Sequence, residues 1–222
     1  MTSYPINLEI SGSTAMWTRP DTGDCPVSYP APTYSAVKGV FESILWGPAV
    51  EIVPTKVEIC APIEYHNYQT NYGGPLRKSS IVATGGGFQL LATVLIDVCY
   101  RLYAEVAPVT VETKERITEG AVTWDKKTTS PGHAYQAIFN RRLERGQCFC
   151  IPFLGWKEFG PSYFGPFRDE TKIETAINTT IPSLLREVFS DGYASESRFT
   201  FDQNVAITNG VIEFPRRGDT NA

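Results

Sequence analysis

Apolar and polar residues alternate along several stretches of the chain, and this alternation predicts strands. In Tyr4–Ile10, every second residue from Ile6 onwards is apolar, which is the pattern of a half-buried strand. Residues 50–63 and 89–106 alternate more loosely, are rich in β-branched side chains and are predicted as two further strands. The polar, glycine-rich stretch 64–87 between them is predicted to be a long loop.

Two stretches have apolar residues at helical spacing. The first is preceded by Thr33, a candidate N-cap, and is followed by Gly47 as a stop signal. The second has Ser130 as its candidate N-cap, a proline at the first helical position and Gly146 just beyond its end. These signals predict two helices, one before the strand at residues 50–63 and one after the strand at residues 89–106.

The C-terminal third is aromatic and rich in turn residues. Residues 148–167 contain seven aromatics among glycines and prolines, which predicts strands and tight turns. Their rings are expected to pack in the core, with stacking on nucleic-acid bases as the alternative. A short helix is predicted near Ile181–Phe189, and a hairpin over 198–215 with its turn at Thr208–Gly210.

The order strand, helix, strand, strand, helix, strand predicts an α+β fold. We expect a ferredoxin-like (RRM-like) βαββαβ domain over residues 1–167 and a β-rich C-terminal extension over 168–222. Because this fold serves RNA-recognition domains, small enzymes and assembly subunits alike, the function has to be argued from particular residues.

Composition narrows the classes of function. The chain has 222 residues, with 20 Lys and Arg against 24 Asp and Glu, a net charge of -4. This balance excludes a protein that coats nucleic acid through bulk positive charge. The opening residues do not resemble a signal peptide, and five cysteines without a framework fit a reducing compartment, so a cytoplasmic location is expected. With two histidines, ligands for a metal are scarce, and neither a metal nor a cofactor is predicted.

Positive charge is concentrated in residues 126–145, where five basic residues face one acidic residue. One interpretation is a phosphate-binding face, since arginine presents a fork of donors to phosphate oxygens. The other is a solvated helix end whose arginines complement the helix dipole. Arg142 favours the first interpretation, because it falls on the apolar face of the predicted helix and must find an anion or extend to solvent.

His133 lies in the first turn of the same predicted helix. A helix N-terminus disfavours the charged imidazolium, and a neutral ring suits a general base. Metal-free RNA cleavage needs a base for the 2′-hydroxyl, an acid for the departing 5′-oxygen and cations for the phosphate. His133 and the nearby basic residues offer these groups, although an ordinary exposed histidine is the alternative.

Several stretches in fixed order resemble the Cas5 family of CRISPR-associated proteins in its subtype I-C form. The similarity spans about residues 4–167. Its specific part is the helix-plus-strand block at residues 138–159, and the C-terminal quarter of the chain matches only loosely. The matching stretches are Gly12, 15–20 (AMWTRP), 27–29 (VSY), 33–36 (TYSA), 46–48 (WGP), 138–149 (IFNRRLERGQCF) and 152–159 (PFLGWKEF).

The resemblance implies a subunit of a type I surveillance complex, Cascade, in antiviral defence. Such a subunit holds the 5′ handle of the CRISPR RNA beside other subunits, and in this subtype it also cuts precursor CRISPR RNA at repeat hairpins without metal. A non-catalytic subunit that only caps the handle is the alternative, and an assembly protein that does not touch RNA is a third.

The resemblance also implies where the site residues lie. The family's cutting residues are a tyrosine at the end of the first helix and an adjacent lysine and histidine entering the second. The histidine matches His133, the tyrosine position falls on Leu45 and the lysine position on Gly132. Candidates to replace the missing groups are Lys126 or Lys127 for the lysine and Tyr34 or Tyr29 for the tyrosine. The catalytic candidates are therefore His133, Lys126 and Lys127, and the RNA-binding candidates are Arg19, Lys38, Arg141, Arg142, Arg145 and Lys157.

Overall fold

A computed structural model describes residues 4–47, 49–72, 88–108, 130–188 and 198–215 of the chain. Lys126 and Lys127 lie outside these residues. In chain order, the helices and strands are β1 (Tyr4–Ala15), α1 (Tyr34–Ile44), β2 (Val50–Ile59), β3 (Glu64–Tyr72), β4 (Phe88–Pro108), α2 (Pro131–Glu144), β5 (Tyr163–Gly165), β6 (Thr179–Glu187), β7 (Thr200–Ile207) and β8 (Val211–Glu213).

Strand β4 organises the main sheet. It is 21 residues long and pairs in antiparallel fashion with β1, β2 and β3. The main sheet has the order β5-β1-β4-β2-β8, with β3 paired to β4 outside this path, and β6 and β7 form a separate two-stranded sheet. Mostly antiparallel sheet with two helices confirms the predicted α+β class.

The alternation predicted for the first strand is confirmed by burial. Ile6, Leu8 and Ile10 of β1 are at most 2% exposed and join the hydrophobic core. The two helices contribute Phe41 and Phe139, which are fully buried and have ring centroids 5.6 Å apart. Burial of one face of each element against the others supplies the main stabilisation of the fold.

Both predicted helix starts are confirmed, because each is held by the hydroxyl that the sequence offers. Thr33 accepts a hydrogen bond from the backbone N–H of Ala36 at the start of α1, over 3.2 Å. Ser130 caps α2, and Gly146 follows its end with a φ of +62°. The N–H of Gln147 bonds to the carbonyl of Arg142 over 2.8 Å, which closes the helix in a Schellman motif.

Two of the predicted elements are wrong. Residues 179–187 form strand β6, which pairs with β7, and no helix. Ile181 and Leu184 are both buried and three residues apart, a spacing that also fits one face of a helix. Residues 64–72, predicted as part of a loop, form strand β3. Most of the described side chains of β3 face solvent, which explains why this strand is polar. Its backbone pairing with β4 holds these residues in a strand.

The predicted C-terminal turn is confirmed, but its two strands separate. Thr208 and Val211 exchange backbone hydrogen bonds around Asn209 and Gly210, whose φ values are 50° and 75°. Strand β7 then pairs with β6, while β8 pairs with β2 at the edge of the main sheet. The segment expected as a C-terminal extension therefore also contributes a strand to the main sheet.

A buried carboxylate connects this C-terminal segment to the centre of the main sheet. Glu9 on β1 has no exposed surface and receives hydrogen bonds from the side chains of Arg168, at 2.6 Å, Thr171, at 2.7 Å, and Arg101, at 3.4 Å. Burial by itself would raise the pKa of Glu9, but the hydrogen bonds from Thr171 and Arg168 hold this pKa below its ordinary value of 4.5. The carboxylate is therefore charged and fully paired.

We expect Glu9→Gln to lower the free energy of unfolding by about 1.5–3 kcal/mol, because it leaves the half-buried guanidinium groups of Arg101 and Arg168 without their anion. Urea denaturation at pH 7 measures this loss. The matched control is Asp21→Asn, which breaks the exposed Arg19–Asp21 pair and should cost less than about 1 kcal/mol.

The same variant tests the pH dependence. Since the folded pKa of Glu9 lies below 4.5, its contribution is present above pH 4.5 and is lost as the pH falls through the folded pKa. The difference in stability between wild type and Glu9→Gln should therefore shrink in acid. An equal difference at pH 7 and at pH 3 would contradict this assignment.

Candidate nucleic-acid interface

His133 stands at the open N-terminal end of α2. Ser130 accepts a hydrogen bond from the backbone N–H of His133 over 3.5 Å, and Pro131 occupies the first turn. No acidic residue lies in that turn, and the side chain of His133 is exposed. The helix N-terminus thus presents an imidazole at the surface, where the partial positive charge of the helix favours a nearby anion.

Tyr4 lies beside His133, a neighbour that sequence reasoning missed. Its hydroxyl is 2.7 Å from Oγ of Ser130, and its ring centroid is 6.2 Å from that of His133. The two residues are 129 positions apart, and no local pattern signals their contact. The sequence would reveal this contact only if the packing of the first strand against the start of the second helix were already known.

Gly132 makes room for this tyrosine. A Cβ atom at position 132 would lie 2.4 Å from Cδ2 of Tyr4 and 2.7 Å from Cε2. A lysine at this position, as the family resemblance implies, therefore requires the Tyr4 ring to move. The ring of Tyr4 occupies the space that a side chain at position 132 would need.

The end of α1, where the family tyrosine is expected, is occupied by side chains of α2. The hydroxyl of Tyr135 donates a hydrogen bond to the carbonyl of Leu45. Nη1 of Arg142 donates to the carbonyl of Ile44 over 2.9 Å. Helix ends leave carbonyls without partners inside the helix, and these two contacts satisfy two of them. Tyr135 is 1% exposed, and its burial raises the pKa of its hydroxyl.

Arg142 thus has a partner that the sequence analysis did not consider. Its side chain is half-buried, as its place on the apolar face implied, but it contacts a carbonyl of α1 where an anion or solvent had been expected. Because the same contact crosses from one helix to the other, Arg142 positions α2 against the end of α1.

The other basic candidates are spread over the surface. Arg141 and Arg145 are exposed near the end of α2, about 12 and 18 Å from His133 along the helix axis, and Lys157 is exposed in the segment after it. Lys38 forms an ion pair with Glu51 at 3.6 Å, and Arg19 is paired with an aspartate. The structure therefore places His133, Arg141 and Arg145 along one helix but does not bring them into contact.

The two tyrosines predicted to replace the family tyrosine lie in the core. Tyr34 is 1% exposed and packs edge-on against Phe214, with ring centroids 5.5 Å apart. Tyr29 is 4% exposed, and its hydroxyl accepts a hydrogen bond from the N–H of Leu185. Both rings serve the contact between the first half of the chain and the C-terminal strands.

The described part of the chain holds no group of three or more histidine, cysteine, aspartate or glutamate side chains that could bind a metal ion. Its five cysteines are all free. Within the same residues, neither helix has the length and apolar character needed to cross a membrane.

Comparison with known proteins identifies the family. The family described as CRISPR-associated protein (Cas_Cas5) matches residues 6–216. This chain belongs to the Cas5 family. The family assignment covers both helices and both sheets, and it extends beyond the similarity seen in the sequence motifs alone, which ended near residue 167.

Two curated relatives of this Cas5 chain are each named CRISPR pre-crRNA endoribonuclease Cas5d. The protein from Mannheimia succiniciproducens is 28% identical over 231 residues, covering 95% of this chain and 94% of the relative. The protein from Thermus thermophilus is 26% identical, covering 72% of this chain and 63% of the relative.

Solved structures share the fold. A functionally uncharacterized protein, SMU1763c, from Streptococcus mutans superposes with a TM-score of 0.70 at 17% identity, over 98% of this chain and 95% of that one. A structure titled CRISPR-associated protein gives a TM-score of 0.70 at 18% identity, with the same coverage. A chain of a CRISPR RNA-guided surveillance complex gives 0.51 at 14% identity, covering 97% of this chain and 92% of that chain.

The contact of Arg142 with α1 generates a stability prediction. We expect Arg142→Ala to lower the free energy of unfolding by about 1–3 kcal/mol, because a charged hydrogen bond to a half-buried carbonyl is lost. Arg141→Ala, at the exposed neighbour, should change it by less than about 0.5 kcal/mol. Equal effects in urea denaturation would contradict the positioning role of Arg142.

Proposed function

We propose that this Cas5 protein binds CRISPR RNA as a subunit of a type I surveillance complex and cuts precursor CRISPR RNA at its repeat hairpins. The observation that carries the proposal is the exposed His133 at the capped start of α2, the position where the family places its histidine. Two curated relatives named as pre-crRNA endoribonucleases and the structural likeness to a surveillance-complex chain support it.

The proposed reaction is a transesterification within the RNA that needs no metal. His133 removes the proton from a 2′-hydroxyl, and the resulting oxygen attacks the adjacent phosphorus. The bond from phosphorus to the 5′-oxygen breaks, leaving a 2′,3′-cyclic phosphate on one product and, after proton donation, a 5′-hydroxyl on the other. Lys126 and Lys127 are the proposed cations for the phosphate charge, and the exposed Arg141 and Arg145 are proposed to contact the RNA away from the cleaved bond.

The ferredoxin-like assignment and the division at residue 167 belong to the same proposal. The strand order β5-β1-β4-β2, with α1 between β1 and β2 and α2 between β4 and β5, supports a split βαβ arrangement. In this arrangement β3 is an additional strand beside β4, and the C-terminal extension adds β6 and β7 as a second sheet and β8 as an edge strand.

A non-catalytic subunit that only caps the 5′ handle is the second candidate. The packing of Tyr4 over Gly132 favours it, since this packing excludes the lysine that the family places next to the histidine. The two candidates differ in whether the bound RNA is cut, so one assay separates them.

We expect the purified protein in EDTA to cut its own repeat RNA once at the base of the hairpin. His133→Ala should lower the rate at least about 100-fold, because the base is lost, while RNA affinity stays within about twofold. The matched control is His66→Ala, which removes the exposed histidine on β3 and should leave cleavage unchanged. Bound but intact RNA with the wild-type protein would establish the capping function instead.

Tyr4 is the proposed donor of the second proton, because it is the tyrosine that lies beside His133. Tyr4→Phe keeps the ring and removes the hydroxyl, and we expect it to slow cleavage about 10- to 100-fold. Ser130→Ala is the comparison variant, since it breaks the Tyr4–Ser130 hydrogen bond and the N-cap of α2 but keeps the tyrosine hydroxyl. If both variants slow cleavage equally, the hydroxyl acts only through the packing of α2.

A further inference from the structure

A cleft lies between the main sheet and the C-terminal sheet of β6 and β7, away from the site at the start of α2. The cleft has a volume of about 960 Å³. One wall consists of the loop after β1 and the start of β3, including Arg19, Asp21 and Tyr65, and the other wall includes Phe199 and Phe201 at the start of β7.

Three aromatic rings are left exposed in this cleft. Tyr65 is 47% exposed, Phe199 54% and Phe201 37%. Among the described residues, eight large apolar side chains are exposed, and three of them meet in this one cavity. Several exposed rings that line one concave surface indicate a binding site, because exposed apolar side chains are otherwise scattered singly over a protein surface.

The polar groups of the cleft suit an uncharged, planar ligand. Nε and Nη2 of Arg19 donate to the two carboxylate oxygens of Asp21 over 3.1 and 2.7 Å. A phosphate bound to Arg19 would lie next to the carboxylate of Asp21, and the repulsion between the two anions disfavours it. Beyond the bonds within the pair, Arg19 has further N–H donors and Asp21 has further lone pairs, and arginine and aspartate side chains both form hydrogen bonds with base edges.

The cleft is remote from His133. Strand β1 runs from Tyr4, which contacts His133, to Ala15, which pairs with Leu95, the partner of Tyr65 on β3. Eleven residues of strand separate the two ends of β1, about 35 Å at 3.3 Å per residue. A ligand in the cleft is therefore out of reach of the imidazole, and binding there can be tested apart from cleavage.

We propose that this cleft receives an unstacked base from a single-stranded stretch of the CRISPR RNA. The proposal rests on the proposed function, that the chain binds this RNA. Single-stranded RNA is recognised by stacking its exposed bases on aromatic side chains and by hydrogen bonds to the base edges. The rings of Phe199, Phe201 and Tyr65 supply the stacking surface, and the Arg19–Asp21 pair supplies the edge contacts.

The test uses the full-length protein and its own repeat RNA. A series of RNAs carries 2-aminopurine, whose fluorescence is quenched when it stacks, at one single-stranded position each. We expect quenching at one position with wild type and its loss with Phe199→Ala and Phe201→Ala. Each variant should also weaken RNA binding about 5- to 150-fold, the effect of losing one stacked base.

Three controls separate stacking from unfolding and from general hydrophobic contact. Phe149→Ala removes an 81% exposed phenylalanine outside the cleft and should leave affinity unchanged. Phe201→Tyr keeps a ring and should restore binding. Cleavage at saturating protein should stay within about threefold in Phe199→Ala, since the cleft does not reach His133.

The outcomes distinguish the two proposals. Wild-type protein that binds the RNA while the cleft variants keep full affinity and no position is quenched overturns the cleft assignment alone. Wild-type protein that binds no RNA overturns the proposed function and the cleft assignment together. Loss of binding to another protein subunit, with RNA affinity unchanged, would assign the cleft to a protein segment and overturn the proposal.

Discussion

The carboxylate of Glu9 is the contact on which the C-terminal part of the structure depends. It has no exposed surface, and a buried charge without partners is too costly to keep in a folded protein. Its partners are Arg101 on the neighbouring strand β4 and Arg168 and Thr171 just after β5. The chain that leaves β5 is therefore held beside β1 and β4 before it continues to the C-terminal strands.

A second buried ion pair continues this connection. Arg186 on β6 forms bonds of 3.0 Å to both carboxylate oxygens of Asp202 on β7, and its guanidinium lies 4.2 Å from the ring centre of Tyr34 at the start of α1. The C-terminal sheet is thus held against the first helix. Because residues of β6 line the cleft, its shape depends on where this contact holds the sheet.

The position of His133 depends on how α2 packs against α1 and β1. Tyr135 and Arg142 donate hydrogen bonds to the last carbonyls of α1, while Tyr4 packs over Gly132 at the start of α2. Packing contacts thus occupy the positions at which the family resemblance implies a tyrosine and a lysine. A different tyrosine, Tyr4, lies beside His133. A change at Gly132 toward the family pattern would consequently require the ring of Tyr4 to move.

The sequence by itself determined the features that depend on neighbouring residues: the alternation in β1, the hydroxyl caps of Thr33 and Ser130 and the place of His133 in a first turn. It misled where a local pattern has two solutions, because Ile181 and Leu184 fit helical spacing although they lie on a strand. Only the tertiary structure decided that Tyr4 stands beside His133, that Arg142 caps α1 and that Tyr65, Phe199 and Phe201 line one cleft. The physical reason is that caps and periodicity are satisfied within a few residues, whereas these contacts join side chains that are more than ninety positions apart and meet only when the strands and helices have packed.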